Sequence, residues 1–142
     1  MSTNSTVAVL HTNGTVSQIY VHWDGYIEAV GKTLVENYAT LERVEALVAL
    51  GNLSCLEARL APNSNEAHSF IDGADNVCVA YERDRGEEDQ QAEVYASIDE
   101  LDSQGRSEEY DYMFAAGQWF VREQGDHLGT VKAALAEMGK LM

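Results

Sequence analysis

Cations are scarce in this chain: lysine occurs only at Lys32, Lys132 and Lys140, and with arginine it makes nine basic residues against 24 acidic ones in 142. The net charge of −15 argues against direct binding of nucleic acid or anionic lipid, because both depend on Lys and Arg to neutralise phosphates. Long apolar runs are also missing. Stretches such as Leu47 to Leu50 fall far short of the roughly 20 residues a membrane-spanning helix needs, so no membrane association is expected. Cysteine is limited to Cys55 and Cys78, widely separated and without paired C-x-x-C spacing, which argues against a disulfide scaffold and a zinc site. Proline occurs once, at Pro62. The residues Met1 to Thr6 lack the basic and apolar regions of an export signal, and a cytoplasmic location is the expectation.

The length and the 45% apolar content suit a single domain over 1–142. Val7, Val9 and Ile19-Tyr20-Val21-His22-Trp23 read as strands about Asn13-Gly14, a pair suited to a type I′ turn. The spacing of Ile27, Val30, Leu34 and Tyr38 predicts a helix with Asp24 as its cap. Leu41, Val44, Leu47 and Val48 predict a second helix, capped by Thr40 and stopped at Gly51, and the two form a bent pair. Residues 52–76 read as an irregular connection. Val77 to Tyr81 and Ala92 to Ala96 are expected to pair as a hairpin with a charged tip, and Tyr110 to Phe114 with Gln118 to Val121 as another. Val131, Leu135 and Met138 mark a C-terminal helix. The expected fold is α+β: a mainly antiparallel sheet built from hairpins, packed with a central helical pair and a C-terminal helix.

Half of the acid is concentrated in thirty residues. Glu82, Asp84, Glu87, Glu88, Asp89, Glu93, Asp99, Glu100, Asp102, Glu108, Glu109 and Asp111 face only Arg83, Arg85 and Arg106, whereas 112–142 is neutral. Like charges at this density repel one another. The functional expectation is an acidic surface that takes the place of nucleic-acid phosphates opposite the Arg and Lys of a basic protein, with carboxylates as the partner-binding groups. Two plainer readings stand beside it: a solvated hairpin tip, and adaptation to high salt.

No motif fixes a reaction, neither a nucleophile elbow nor a Walker or dinucleotide glycine pattern, so a non-enzymatic role without cofactor or metal is expected. The word His22-Trp23-Asp24-Gly25-Tyr26 is the alternative site. It places an imidazole and a carboxylate at a strand-to-helix junction, where His22, Trp23, Asp24 and Tyr26 can line a ligand pocket, with His11 or His68 assisting. The plain reading of that word is an Asp cap, a turn glycine and a core Trp. A third reading is a structural protein or homo-oligomer joined through Tyr110, Tyr112 and Trp119.

The blocks Ile19 to Tyr26 with Val30-Gly31, Ser69-Phe70 with Val79 to Glu87, and Tyr110 to Val121 resemble a group of small acidic proteins of phages and other mobile elements. The resemblance covers less than half of the chain, implies a genomic setting and carries over no functional residue. In that setting, acidic proteins include inhibitors of host defence and nucleic-acid-handling proteins that imitate DNA charge. The expectation is therefore an inhibitor acting in the host cytoplasm.

Overall fold

The computed structural model describes residues 3–123 and 129–131. In chain order the elements are β1 (Ser5–Leu10), β2 (Val16–Val21), a π turn (Ile27–Gly31) running into α1 (Lys32–Asn37), α2 (Leu41–Ala49), β3 (Leu53–Cys55), β4 (Val79–Ala80), α3 (Tyr81–Arg85), β5 (Glu93–Tyr95), α4 (Ile98–Gln104), β6 (Tyr110–Ala115), β7 (Gln118–Glu123) and β8 (Gly129–Thr130). No helix among the described residues is long and apolar enough to cross a membrane.

The described strands form one mixed sheet in the order β4-β3-β2-β1-β6-β7-β8, and this corrects the expected hairpin-built, mainly antiparallel sheet. Its central contact, β1 with β6, is parallel, with Val7 beside Tyr112, and β2 with β3 is parallel as well. The expected hairpin between 77–81 and 92–96 does not form. β4 instead pairs with β3, Tyr81 opens α3, and β5 pairs with β2. Local alternation identifies a strand but not its neighbour, and the parallel partners β1 and β6 lie about a hundred residues apart.

The outer edge of β2 is divided between two strands, β5 along Val16–Gln18 and β3 at Val21. Asn52 fills the gap. Its Oδ1 accepts from Tyr20 N at 2.9 Å, its own N–H donates to Gln90 O at 2.8 Å, and its carbonyl accepts from Tyr81 N at 3.2 Å. Gly51 turns the chain into this position at φ +80°, where a Cβ would lie 2.3 Å from Gln90 O.

Alternation along the strands gives the sheet two unlike faces. Val7, Val9, Ile19, Val21, Tyr112, Phe114, Trp119 and Val121 form the core face against the π turn, α1 and α2. Three aromatic residues there satisfy their polar ends on backbone carbonyls: Tyr38 on Glu57 O, Tyr112 on Gly25 O and Trp119 on Tyr38 O, all within 2.7 Å. The opposite face carries Thr6, Ala8, Gln18, Asp111, Met113 and Arg122, and α4 lies across it. β1 is buried continuously from Ser5 to Val9, as a strand covered on both sides must be.

Thr40 caps α2 as expected, accepting from Arg43 N at 3.3 Å. Asp24 does not cap with its side chain: its carbonyl accepts from Val30 N, and the helix that follows opens as a π turn without a side-chain cap. The β1–β2 turn has positive φ at Gly14 but not at Asn13, with Gly14 N bonded to His11 O, so it is not the expected type I′ pair. Of the expected C-terminal helix only Val131 is described, buried in the core beside Gly31, and the rest lies outside the described residues.

Candidate functional site

The acidic segment is not exposed throughout; it passes through α3, β5, α4 and β6, and its carboxylates separate into two kinds. Asp84 is turned inward, its side chain only 7% exposed. It accepts from Ala80 N at 2.8 Å and from Arg83 Nε and Nη2 at 3.0 Å, with His68 Nε2 3.2 Å away. Arg83 extends the cluster to the carbonyls of Leu60 and Cys78. Burial on its own would raise the Asp84 carboxyl, but Arg83, the Ala80 N–H and His68 outweigh it and hold the group below its ordinary range. Asp111 is likewise structural, accepting from Thr6 Oγ1, Ser107 Oγ and Glu108 N. Glu108 and Glu87 stand beside Arg106 and Arg85, and Glu109 accepts from Asn4 N. Glu100 is half-buried in the first turn of α4.

The other six, Glu82, Glu88, Asp89, Glu93, Asp99 and Asp102, are exposed, and none has a side-chain hydrogen bond or ion pair among the described residues. They run along α3, the turn after it, β5 and α4. Val94, 65% exposed, stands among them on the edge strand β5. The three arginines of the segment are engaged elsewhere: Arg83 on Asp84, Arg85 over the Phe70 ring and beside Glu87, and Arg106 on Glu108 and over the Tyr20 ring. None of these arginines therefore stands against the exposed carboxylates.

At the 22–26 junction, Asp24 takes φ +55°, and Gly25 packs so closely that a Cβ would lie 2.7 Å from Ser5 Cβ. The His22 ring meets the Tyr20 hydroxyl at 2.8 Å and stands edge-on to Trp23. Trp23 is 43% exposed rather than a core residue, and Tyr26 is exposed beside the turn. Trp23 and Asp24 line a cleft of about 120 Å³ together with Val30, Thr33, Cys55 and Glu57, while His22 and Tyr26 lie outside it. Burial, and then the neighbouring Asp24, push the Glu57 carboxyl above its ordinary range.

The histidines expected to assist are placed elsewhere. His11 sits between Glu45 Oε2 at 2.6 Å and Ser17 Oγ at 2.7 Å, His68 is in the Asp84 cluster, and His127 lies outside the described residues. Among the described residues no group of three or more His, Cys, Asp or Glu could hold a metal. Of the aromatic residues considered for subunit contact, Tyr112 and Trp119 are buried and Tyr110 is half-buried.

Sequence reasoning missed a cleft of about 170 Å³ beneath α4, on the face of the sheet away from the core. Its one sequence signal is the pattern of β7, where Arg122 alternates with the core residues Trp119 and Val121. Gln18, buried in mid-strand, closes one end by bonding both the N–H and the carbonyl of Arg106. No family model matches this chain, and neither a curated protein nor a solved structure does.

Proposed function

We propose that this chain is a non-enzymatic accessory or inhibitory protein that docks on a basic protein surface through the exposed acids of the 82–102 region. The observation that supports this is the division among the carboxylates: Asp84, Glu87, Glu108, Glu109 and Asp111 are hydrogen-bonded or ion-paired within the fold, whereas the exposed Glu82, Glu88, Asp89, Glu93, Asp99 and Asp102 have no such side-chain partner among the described residues. Unpaired carboxylates over α3, β5 and α4 suit a partner rich in Arg and Lys, and exposed Val94 supplies an apolar contact among them. A groove made to bind nucleic acid has that chemistry. With the resemblance to mobile-element proteins, the partner class becomes a host nucleic-acid-handling or defence protein.

The test is capture from a host lysate by the immobilised chain at about 50 mM salt, followed by washing at about 200 mM and by competition with duplex DNA. A nucleic-acid-binding protein released by both treatments is expected. The triple variant Glu88→Lys, Asp89→Lys, Glu93→Lys should weaken the complex at least tenfold while shifting stability by no more than about 0.5 kcal/mol at 88 and 93 and by about 1 kcal/mol at 89, where φ is +60°. Capture that survives both salt and the triple reversal sinks the reading.

A further inference from the structure

We propose that the cleft beneath α4 binds a small free α-amino acid, with Arg122 taking its carboxylate and Asp102 its ammonium group. Four charged side chains line this cleft, and two are already used. Arg106 is held by Glu108 at 2.5 Å and lies over the Tyr20 ring at 4.0 Å. Asp111 is the cross-strand neighbour of Arg122, yet its carboxylate is turned to Thr6 Oγ1 at 2.7 Å, Ser107 Oγ at 2.9 Å and Glu108 N at 3.0 Å.

Arg122 is thereby left with a buried Nε that has no hydrogen-bond partner among the described residues. In a chain of net charge −15, an arginine without a carboxylate is unexpected, and a buried guanidinium N–H without an acceptor is costly. Asp102, on α4 at the other wall, has no side-chain partner among the described residues either. Among the described residues the cleft therefore offers one free cation and one free anion, with Ala8, Met113, Ile98 and Leu101 as apolar walls.

A lone anion would be repelled by Asp102 and a lone cation by Arg122, whereas a zwitterion with an apolar side chain satisfies both. Size narrows the class. A cavity of about 150 Å³ takes a benzene ring, so about 170 Å³ suits six to eight heavy atoms, the range from alanine to valine. The site shares Asp102 with the proposed docking surface but uses none of Glu88, Asp89 or Glu93, so substitutions at those three positions test the docking surface without touching the cleft.

The experiment is calorimetric titration of the full chain with L-valine, with isovalerate, which lacks the ammonium group, and with isobutylamine, which lacks the carboxylate. Saturable binding of valine with a Kd below about 1 mM is expected. Each one-ended analogue, and each of the variants Arg122→Gln and Asp102→Asn, should bind at least about tenfold more weakly. Asp102 is exposed, so its variant keeps the test valid if Arg122→Gln fails to fold. The proposal is overturned if valine shows no saturable binding, if isovalerate or isobutylamine matches it, or if Asp102→Asn leaves its affinity unchanged.

Discussion

Ala80 N, the Arg83 guanidinium and His68 Nε2 converge on the buried Asp84 carboxylate, and through it they tie the start of α3 to the 60–76 connection. His68 Nδ1 accepts from Ala74 N at 2.9 Å, which leaves the ring proton on the nitrogen facing Asp84. Phe70 adds an aromatic contact to Tyr81 at the same place. Removing the charge but keeping the shape, Asp84→Asn, should cost about 2–4 kcal/mol at neutral pH, read by urea unfolding. The sign with pH follows from the lowered folded value. The contribution is fully present above the ordinary aspartate value of 3.8 and is lost as the pH falls through the lower folded one. The gap between the native chain and Asp84→Asn should therefore be wide at pH 7 and narrow steadily below 3.8. A gap unchanged at low pH would show that packing, not charge, makes Asp84 matter.

The β6–β7 hairpin turns through Ala116 at φ +52° and Gly117 at φ +75°, with Ala115 opposite Gln118. Two residues at positive φ make a type I′ turn, and alanine at the first of them is held in a region that costs an ordinary residue roughly 1–2 kcal/mol. Ala116→Asn, which places the favoured Asn-Gly pair there, should stabilise the chain by about 0.5–1 kcal/mol, measured by thermal unfolding. This hairpin was legible because its alternation and its turn are adjacent in sequence. The α2 boundaries were legible for the same reason, with Thr40 before the apolar stripe and Gly51 after it. What stayed hidden depends on distant partners. Nothing near Val7 announces Tyr112 as its neighbour, and nothing near Val94 announces Ser17. The candidate sites follow the same division. The density of acid from 82 to 111 is plain in the sequence, but the inward turn of Asp84 and the isolation of Arg122 exist only once β4, α3, α4 and β7 are in place.

Charge at the scale of the whole molecule acts in two opposite directions. A net charge of −15, with six exposed carboxylates unpaired along one stretch, repels itself, so the isolated chain is destabilised by its own field. The same field attracts a basic partner. Salt screens both, with a Debye length falling from about 30 Å at 0.01 M to about 10 Å at 0.1 M and 3 Å at 1 M. Raising NaCl across the lower part of that range should raise the unfolding temperature of the free chain by a few degrees, which corresponds to roughly 1 kcal/mol in a domain of this size. Over the same range it should weaken the complex at least tenfold. The Lys variant at 88, 89 and 93 should flatten both responses, because it removes the charge on which both depend. If a high-salt habitat were the reason for the acid, stability would go on rising beyond about 1 M, where screening is already complete. A plateau before that concentration, together with a complex lost at moderate salt, is the outcome that assigns the acid to a partner.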